Sequence, residues 1–194
     1  MDETTIQVGL PEHLRHEAAK IYFDAFRRKL NPILKSPETA VAVLQHDLDE
    51  QQAIVALHQD RLVGLVGIQH NNRHFIEIRQ DTLVREFGWF SGRVRHALRL
   101  LLSRPYQTGE LLMDGIAVTS EMRGYGIGTR LLNAVIEFAQ KNAYQTIRLD
   151  VVDTNPDARR LYERMGFVAT KTEYYGLLTR WMGFTGSTTM RFDL

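Results

Sequence analysis

The 194-residue chain predicts an α/β fold (α+β by some schemes) with a mixed sheet, on three observations. From about residue 109 the pattern runs strand, helix, strand, helix and then strands, an order that lays helices against one sheet. The strands at 109–118 and 144–152 flank a single helix, so they are expected as parallel neighbours joined by a crossover. Hydrophobic residues at 44% and charged residues at 24% give the balance of an ordinary soluble domain, with enough chain to bury a core.

The elements follow in order. "TTIQVGL" (4–10) alternates like a short strand, and 11–30 is an amphipathic helix with Leu14, Ala18, Ile21, Tyr22, Ala25 and Phe26 at helical spacing. Asn31-Pro32 is expected to stop it. Ser36 then Pro37 forms an N-cap and first-turn proline for a second helix over 36–48. "QAIVALHQ" and "RLVGLVGIQH" make a hairpin turning near Asp60, although no glycine marks the turn. Residues 71–108 are less regular, and the helical spacing broken by Gly88 and Gly92 and ended by Pro105 reads as a helical insertion at about 78–105 within one domain spanning 1–194. Beyond it come a strand at 110–118, a helix at about 124–142, a strand at 144–152, a helix in "NPDARRLYERMGF" closed by Gly166, and two last strands in "FVATKTEYYG" and "STTMRFDL". The last of these is also a segment through which a homodimer could pair.

Composition excludes several chemistries. Lys plus Arg is 24 against 23 for Asp plus Glu, so the net charge of +1 gives no reason to expect nucleic acid or an anionic membrane. No cysteine is present, which removes disulfides, thiol nucleophiles and cysteine-ligated metals. The polar, acidic start "MDETTIQVGL" is no signal peptide and no apolar run spans a membrane, so a cytoplasmic location is expected. The seven histidines show no metal spacing, and no metal is expected; His70 and His74 read as solvated loop residues.

The segment "RGYGIGTRLL" (123–132) sets glycines at alternate positions before an apolar helix. Uncovered amides at a helix start, with the helix dipole behind them, make a site for an anion, and glycines let it come close. The run fails the phosphate loop that needs G-x-x-x-x-G-K-[ST], and it fails G-x-G-x-x-G because the third glycine falls one residue early. A tight turn that packs the helix on the sheet is the other reading of the loop by itself.

With its surroundings, "MDGIAVTSEMRGYGIGTRLLNAVIEFA" resembles the acyl-CoA site of the GNAT N-acetyltransferase superfamily, where an Arg/Gln-x-x-Gly-x-Gly/Ala segment follows a strand. Here it reads Arg123-Gly124-Tyr125-Gly126-Ile127-Gly128, and "NPDARRLYERMGF" is similar to the later half of the same signature. The resemblance covers about residues 109–170 and implies a mixed, mostly antiparallel sheet of about seven strands flanked by helices. It implies acetyl-CoA as acyl donor and an amine as acceptor. Amides from Arg123 through Thr129 would bind the pyrophosphate, and the main chain of Ile116, Ala117 and Val118 would pair with the pantetheine arm.

Acetyl transfer to an amine needs a neutral nucleophile, and an alkyl ammonium with a pKa of roughly 10.4 costs about 4–5 kcal/mol to deprotonate at pH 7. Asp114 is the candidate base: it interrupts an apolar strand, where alternation sets it on one face with Leu112, Ile116 and Val118. Many relatives carry Glu there, and the shorter Asp favours relay through water. A hydrogen-bonded Asp at a bulge beside Gly115 is the competing reading. Tyr162 matches the tyrosine that in relatives protonates the departing sulfur, against routine core packing with its hydroxyl satisfied. Asn155 matches a position near the thioester and is also an ideal N-cap before Pro156. Arg159, with Arg130 and Arg160, could meet cofactor phosphates or simply be solvated.

The acceptor pocket in this superfamily corresponds to about 22–36, 68–108 and 174–186, which hold Tyr22, Phe26, Phe75, Phe87, Trp89, Phe90, Tyr174, Tyr175 and Trp181 as possible walls. A small-molecule primary amine, a protein amine, and a non-catalytic acyl-CoA-binding module are the three readings these residues leave.

Overall fold

The computed structural model describes residues 4–34, 36–101, 108–176 and 183–194. Eight strands form one sheet: β1 (Thr4–Val8), β2 (Ala53–His58), β3 (Arg61–His70), β4 (Arg73–His74), β5 (Glu110–Val118), β6 (Thr146–Val152), β7 (Val168–Tyr174) and β8 (Gly186–Asp193). Their order is β1-β2-β3-β5-β6-β8-β7, with β4 paired to β3. Only β5 and β6 run parallel among the named pairs; the rest are antiparallel. The sheet thus has the mixed, mostly antiparallel character predicted, with β4 as an extra short strand.

The β2–β3 hairpin turns without glycine because Gln59 and Asp60 both adopt left-handed conformations, φ 50° and 60°. Both central residues of a two-residue type I′ turn need φ > 0, and here hairpin pairing imposes it. Asn71 and Asn72 repeat the device between β3 and β4, at φ 52° and 59°.

Among the described residues six α-helices cover the two faces: α1 (Arg15–Leu34), α2 (Pro37–Asp47), α3 (Gln80–Phe87), α4 (Trp89–Leu101), α5 (Ile127–Lys141) and α6 (Pro156–Arg164). Ser36 caps α2 as predicted, its Oγ accepting from Thr39 N–H at 3.2 Å. The expected stop at Asn31-Pro32 does not occur, since α1 continues to Leu34. Proline removes one helical hydrogen bond, but Ile33 and Leu34 are both buried, and their burial outweighs that loss. The backbone instead departs from helical geometry at Phe26, φ −111° and ψ 18°.

Alternation along the strands divides the core into two layers. Ala53, Val55, Leu62 and Leu65 face α1, α2 and Phe75. Ile54, Ala56, Val66, Ile147 and Leu149 face α5 with its Leu131, Leu132 and Val135, and here Tyr162 of α6 joins them. The buried carboxylate of Asp47 ties α2 to α3, accepting from Arg79 N–H at 2.9 Å and Thr82 Oγ1 at 3.0 Å. Strand β8 sits between β6 and β7, so it presents no free edge for intersubunit pairing; β7 is the edge strand. No helix among the described residues is long and apolar enough to cross a membrane.

Candidate active site

The site begins with a bulge in β5. Gly67 of β3 faces Gly115 while Ile68 faces Met113, leaving Asp114 as the extra residue. A bulge bends its strand and shifts the alternation by one. Before it, Leu111 and Met113 point into the α5 layer; after it, Ile116 and Val118 do so, and Ala117 joins the α1 layer. Asp114 therefore lies on the face opposite Ile116 and Val118, which corrects the alternation expected from sequence. Its charge reaches Tyr22 of α1. Gly115 shares that face beneath the Phe26 ring, where an added Cβ would stand 2.2 Å from Phe26 Cζ. Only glycine allows that approach, and the break in α1 at Phe26 occurs where the ring meets the strand.

The bulge also ends the parallel pairing. β5 and β6 pair from Glu110↔Thr146 to Met113↔Leu149 and no further, while β6 stays on β8 as far as Val152↔Ser187. From Asp114 onward the edge of β5 that faced β6 has no strand beside it among the described residues. A cleft of about 400 Å³ opens there. It runs between residues 24–28 of α1 on one side of the sheet and Asn155, Ala158 and Tyr162 of the α6 region on the other, past 114–116 and 150–152, with Tyr175, Phe184 and Ser187 closing it.

Its polar groups are unequal. Asp24 pairs with Arg27 at 3.0 Å, both exposed. Asp150 accepts from Thr189 Oγ1 at 2.5 Å. Tyr162 is 5% exposed, and burial pushes its pKa up, so the phenol keeps its proton throughout the neutral range. Burial, and then the charge of Asp114, raise Tyr22 in the same way. Asn155 caps α6, its Oδ1 accepting from Ala158 N–H at 3.2 Å, and that use leaves its amide NH2 available.

The glycine turn lies between β5 and α5, and it is open. Gly124 and Gly126 have φ of 84° and 76°, and a Cβ at either would meet nothing within 4 Å. No side chain caps α5. The N–H groups of Ile127, Gly128 and Thr129 occupy its first turn, where an α-helix offers no internal acceptor. The residues present thus fit an anion at the positive end of the dipole. Buried Ile127 anchors the turn, and Gly128 lets α6 approach, since its Cβ would stand 3.1 Å from Leu161. The model of the acetyltransferase (GNAT) family matches residues 15–167.

The chain belongs to that family. Among curated relatives, a probable N-acetyltransferase camello from Xenopus tropicalis is 34% identical over 77 residues, 39% of this chain and 35% of that protein. The chain thus spans about a third of the length of that relative. A solved acetyltransferase structure shares the fold with a TM-score of 0.65 at 20% identity, over 97% of this chain and 98% of that one. An agmatine N-acetyltransferase structure does so with a TM-score of 0.64 at 17% identity, over the full length of both chains.

Several of the residues considered from sequence have side-chain partners of their own in this GNAT fold. Arg130 binds the Thr4 carbonyl. Arg159 pairs with Glu163 at 2.9 Å and Arg160 with Asp157, both along α6, while Arg123 Nε donates to the Val118 carbonyl at 3.2 Å. His70 hydrogen-bonds the Tyr144 hydroxyl at 2.7 Å beside Phe138, on the α5 side, where burial lowers its pKa. His74 lines a separate polar hollow with Asp49 and Arg79. Of the proposed acceptor walls, Phe26 and Tyr175 line the cleft; Tyr22 and Phe75 are core, and Trp89 and Phe90 point outward, 68% and 75% exposed. Among the described residues, none from 68–108 borders the cleft. Trp181 lies outside the described residues. Asp24, Asp150 and Phe184 line the cleft without having been singled out from sequence. The signal for Asp150 was the one used for Asp114, a carboxylate breaking an apolar strand, here in "TIRLDVV".

Proposed function

We propose that this chain is an acetyl-CoA-dependent N-acetyltransferase acting on a primary amine of a small molecule, by direct attack with both substrates bound. The observation that carries the reading is the cleft that passes through the sheet where β5 parts from β6, placing Tyr162 and the Asn155 cap on one side and Asp114 and Asp150 on the other. Its volume of about 400 Å³ lies within the ordinary range for small ligands.

Each part of the chain then has a task. Amides of residues 123–129 hold the pyrophosphate, and the vacant edge of Ile116, Ala117 and Val118 pairs with the pantetheine arm as an added strand would. Acetyl-CoA supplies the activated acyl group. Asp114, on the α1 face, draws the proton from the incoming ammonium through water, and its negative charge offsets part of the cost of neutralising it. Asp150 adds a second negative charge across the gap. Tyr162 gives its proton to the departing thiolate. Asn155 steadies the thioester end. The working unit in this reading is one cytoplasmic domain, with α3 and α4 as an insertion remote from the chemistry.

The test is acceptor-dependent thiol release from acetyl-CoA over a panel of amino acids, polyamines, aminoglycosides and peptides. Acetyl-CoA at about 100 times its Kd should raise Tm by on the order of 5–10 °C. Absence of both thiol release and a shift at millimolar acetyl-CoA ends the proposal. Gly126→Val places a β-branched residue at φ 76°, a conformation that costs about 1–2 kcal/mol for an L side chain, and distorts the turn. Its affinity for acetyl-CoA should fall at least about tenfold in calorimetric titration; unchanged affinity would remove the turn from cofactor binding.

A further inference from the structure

The charges lining the cleft differ in sign between the strands and α1. Asp114 and Asp150 lie on the two strands that part at its floor. Phe26, Tyr175 and Phe184 contribute apolar lining to the same cleft. Where α1 borders the cleft, Asp24 and Arg27 form an ion pair at 3.0 Å and cancel one another. Arg28, the next residue, lines the same cleft, and no carboxylate or other hydrogen-bonding group partners its guanidinium among the described residues. The cleft is therefore negative at the strands, positive on α1 and otherwise lined by apolar rings.

On this basis we infer that the acceptor is an amine that also carries a carboxylate, its amino group entering toward Asp114 and Asp150 and its carboxylate held by Arg28. The inference rests on the acetyltransferase reading of the cleft and specifies its substrate class. A guanidinium presents parallel N–H donors matched to a carboxylate, which an ammonium does not. A diamine would meet Arg28 with like charge, and a plain alkylamine would leave it without a partner. Amino acids, and other molecules with an amine and a carboxylate joined by a short apolar stem, satisfy all three zones. The Phe26 ring, seated on Gly115, sets the apolar stretch between the two charged ends.

Matched acceptor pairs that differ only in the carboxylate test this: L-lysine against cadaverine, L-ornithine against putrescine, and γ-aminobutyrate against propylamine. With the full chain and saturating acetyl-CoA, the carboxylate-bearing member of at least one pair should have a kcat/KM about 10–100 times that of its partner. Arg28→Met should raise KM for that acceptor about tenfold with kcat changed less than twofold, and Arg28→Lys should recover part of the loss. The shift in Tm produced by acetyl-CoA should persist in both variants, which separates loss of acceptor recognition from a failure to fold. Preference for the plain amine in every pair overturns the inference, as does an Arg28→Met enzyme that keeps the wild-type preference. If only plain amines release thiol, the inference falls and the acetyltransferase reading stands; if no amine does and acetyl-CoA produces no shift, both fall.

Discussion

Tyr162→Phe should lower kcat by about 10²-fold, within the range that positioned acids contribute, while the KM for acetyl-CoA stays within about twofold. The substitution removes one oxygen from a ring that packs against Phe167 at a centroid distance of 5.9 Å. Two readings of this tyrosine, core filler and proton donor, make different demands on that oxygen. A core tyrosine satisfies its hydroxyl, because a buried polar group without a partner is costly. Here the side chain is 5% exposed, borders the cleft, and has no hydrogen-bond partner among the described residues. Deleting an unpartnered hydroxyl should leave Tm within about 2 °C or raise it slightly. The two readouts together decide the matter: a fall in turnover at constant Tm assigns the proton to Tyr162, and unchanged turnover returns the ring to the core. The pH profile has a stated direction as well. Burial raises the pKa of the phenol, so it remains a proton donor on the alkaline side and Tyr162 itself imposes no falling limb between pH 7 and 9. A falling limb in that interval that vanishes in Tyr162→Phe would contradict the assignment.

What the sequence made legible was whatever depends on local pattern. The Ser36–Pro37 cap, the Asn155–Pro156 cap, the glycine turn and the parallel placement of β5 and β6 are each written within a few residues and appear in the structure. Features decided by packing were not. The stretch "LLMDGIAV" offered a bulge at Asp114 only as one of two readings, because the extra residue is defined against Gly67 and Ile68 on a strand more than 40 positions earlier. The consequence is large, because the bulge moves Asp114 and Ile116 to opposite faces and ends the pairing with β6. Pro32 misled for the same reason, since the two buried residues after it decide whether α1 goes on. The resemblance offered 22–36, 68–108 and 174–186 as acceptor walls; Phe26, Tyr175 and Phe184 of the first and last line the cleft, whereas Trp89 and Phe90 of the middle segment face solvent.

Glu110→Ala should destabilise the fold by roughly 3–5 kcal/mol, the usual cost of removing one partner from a buried ion pair, and lower Tm by on the order of 10 °C in thermal denaturation. Arg148 of β6 and Arg191 of β8 stand directly opposite each other in the antiparallel ladder, a placement that is unfavourable for two like charges. Glu110 resolves it from the neighbouring strand: its carboxylate, with a side chain only 4% exposed, lies 3.2 Å from Arg148 Nη1 and 3.1 Å from Arg191 Nη2. Removing it leaves two adjacent guanidinium groups facing one another, Arg148 with only 11% of its side chain exposed. Replacing the arginines as well, in Glu110→Leu with Arg148→Met and Arg191→Thr, should recover most of the loss, because the penalty comes from like charges left facing one another and not from missing volume. Equal destabilisation in the single and triple variants would mean that packing, not charge, holds this end of the sheet. The position of the cluster gives the result a functional consequence. Glu110 and Arg148 clasp the paired end of β5 and β6, four residue pairs long, and the cleft opens immediately beyond its last pair, Met113↔Leu149. A strand pair that must separate at one end to admit a ligand has to be secured at the other, and acetyl-CoA should therefore raise the Tm of Glu110→Ala by less than it raises that of the wild type.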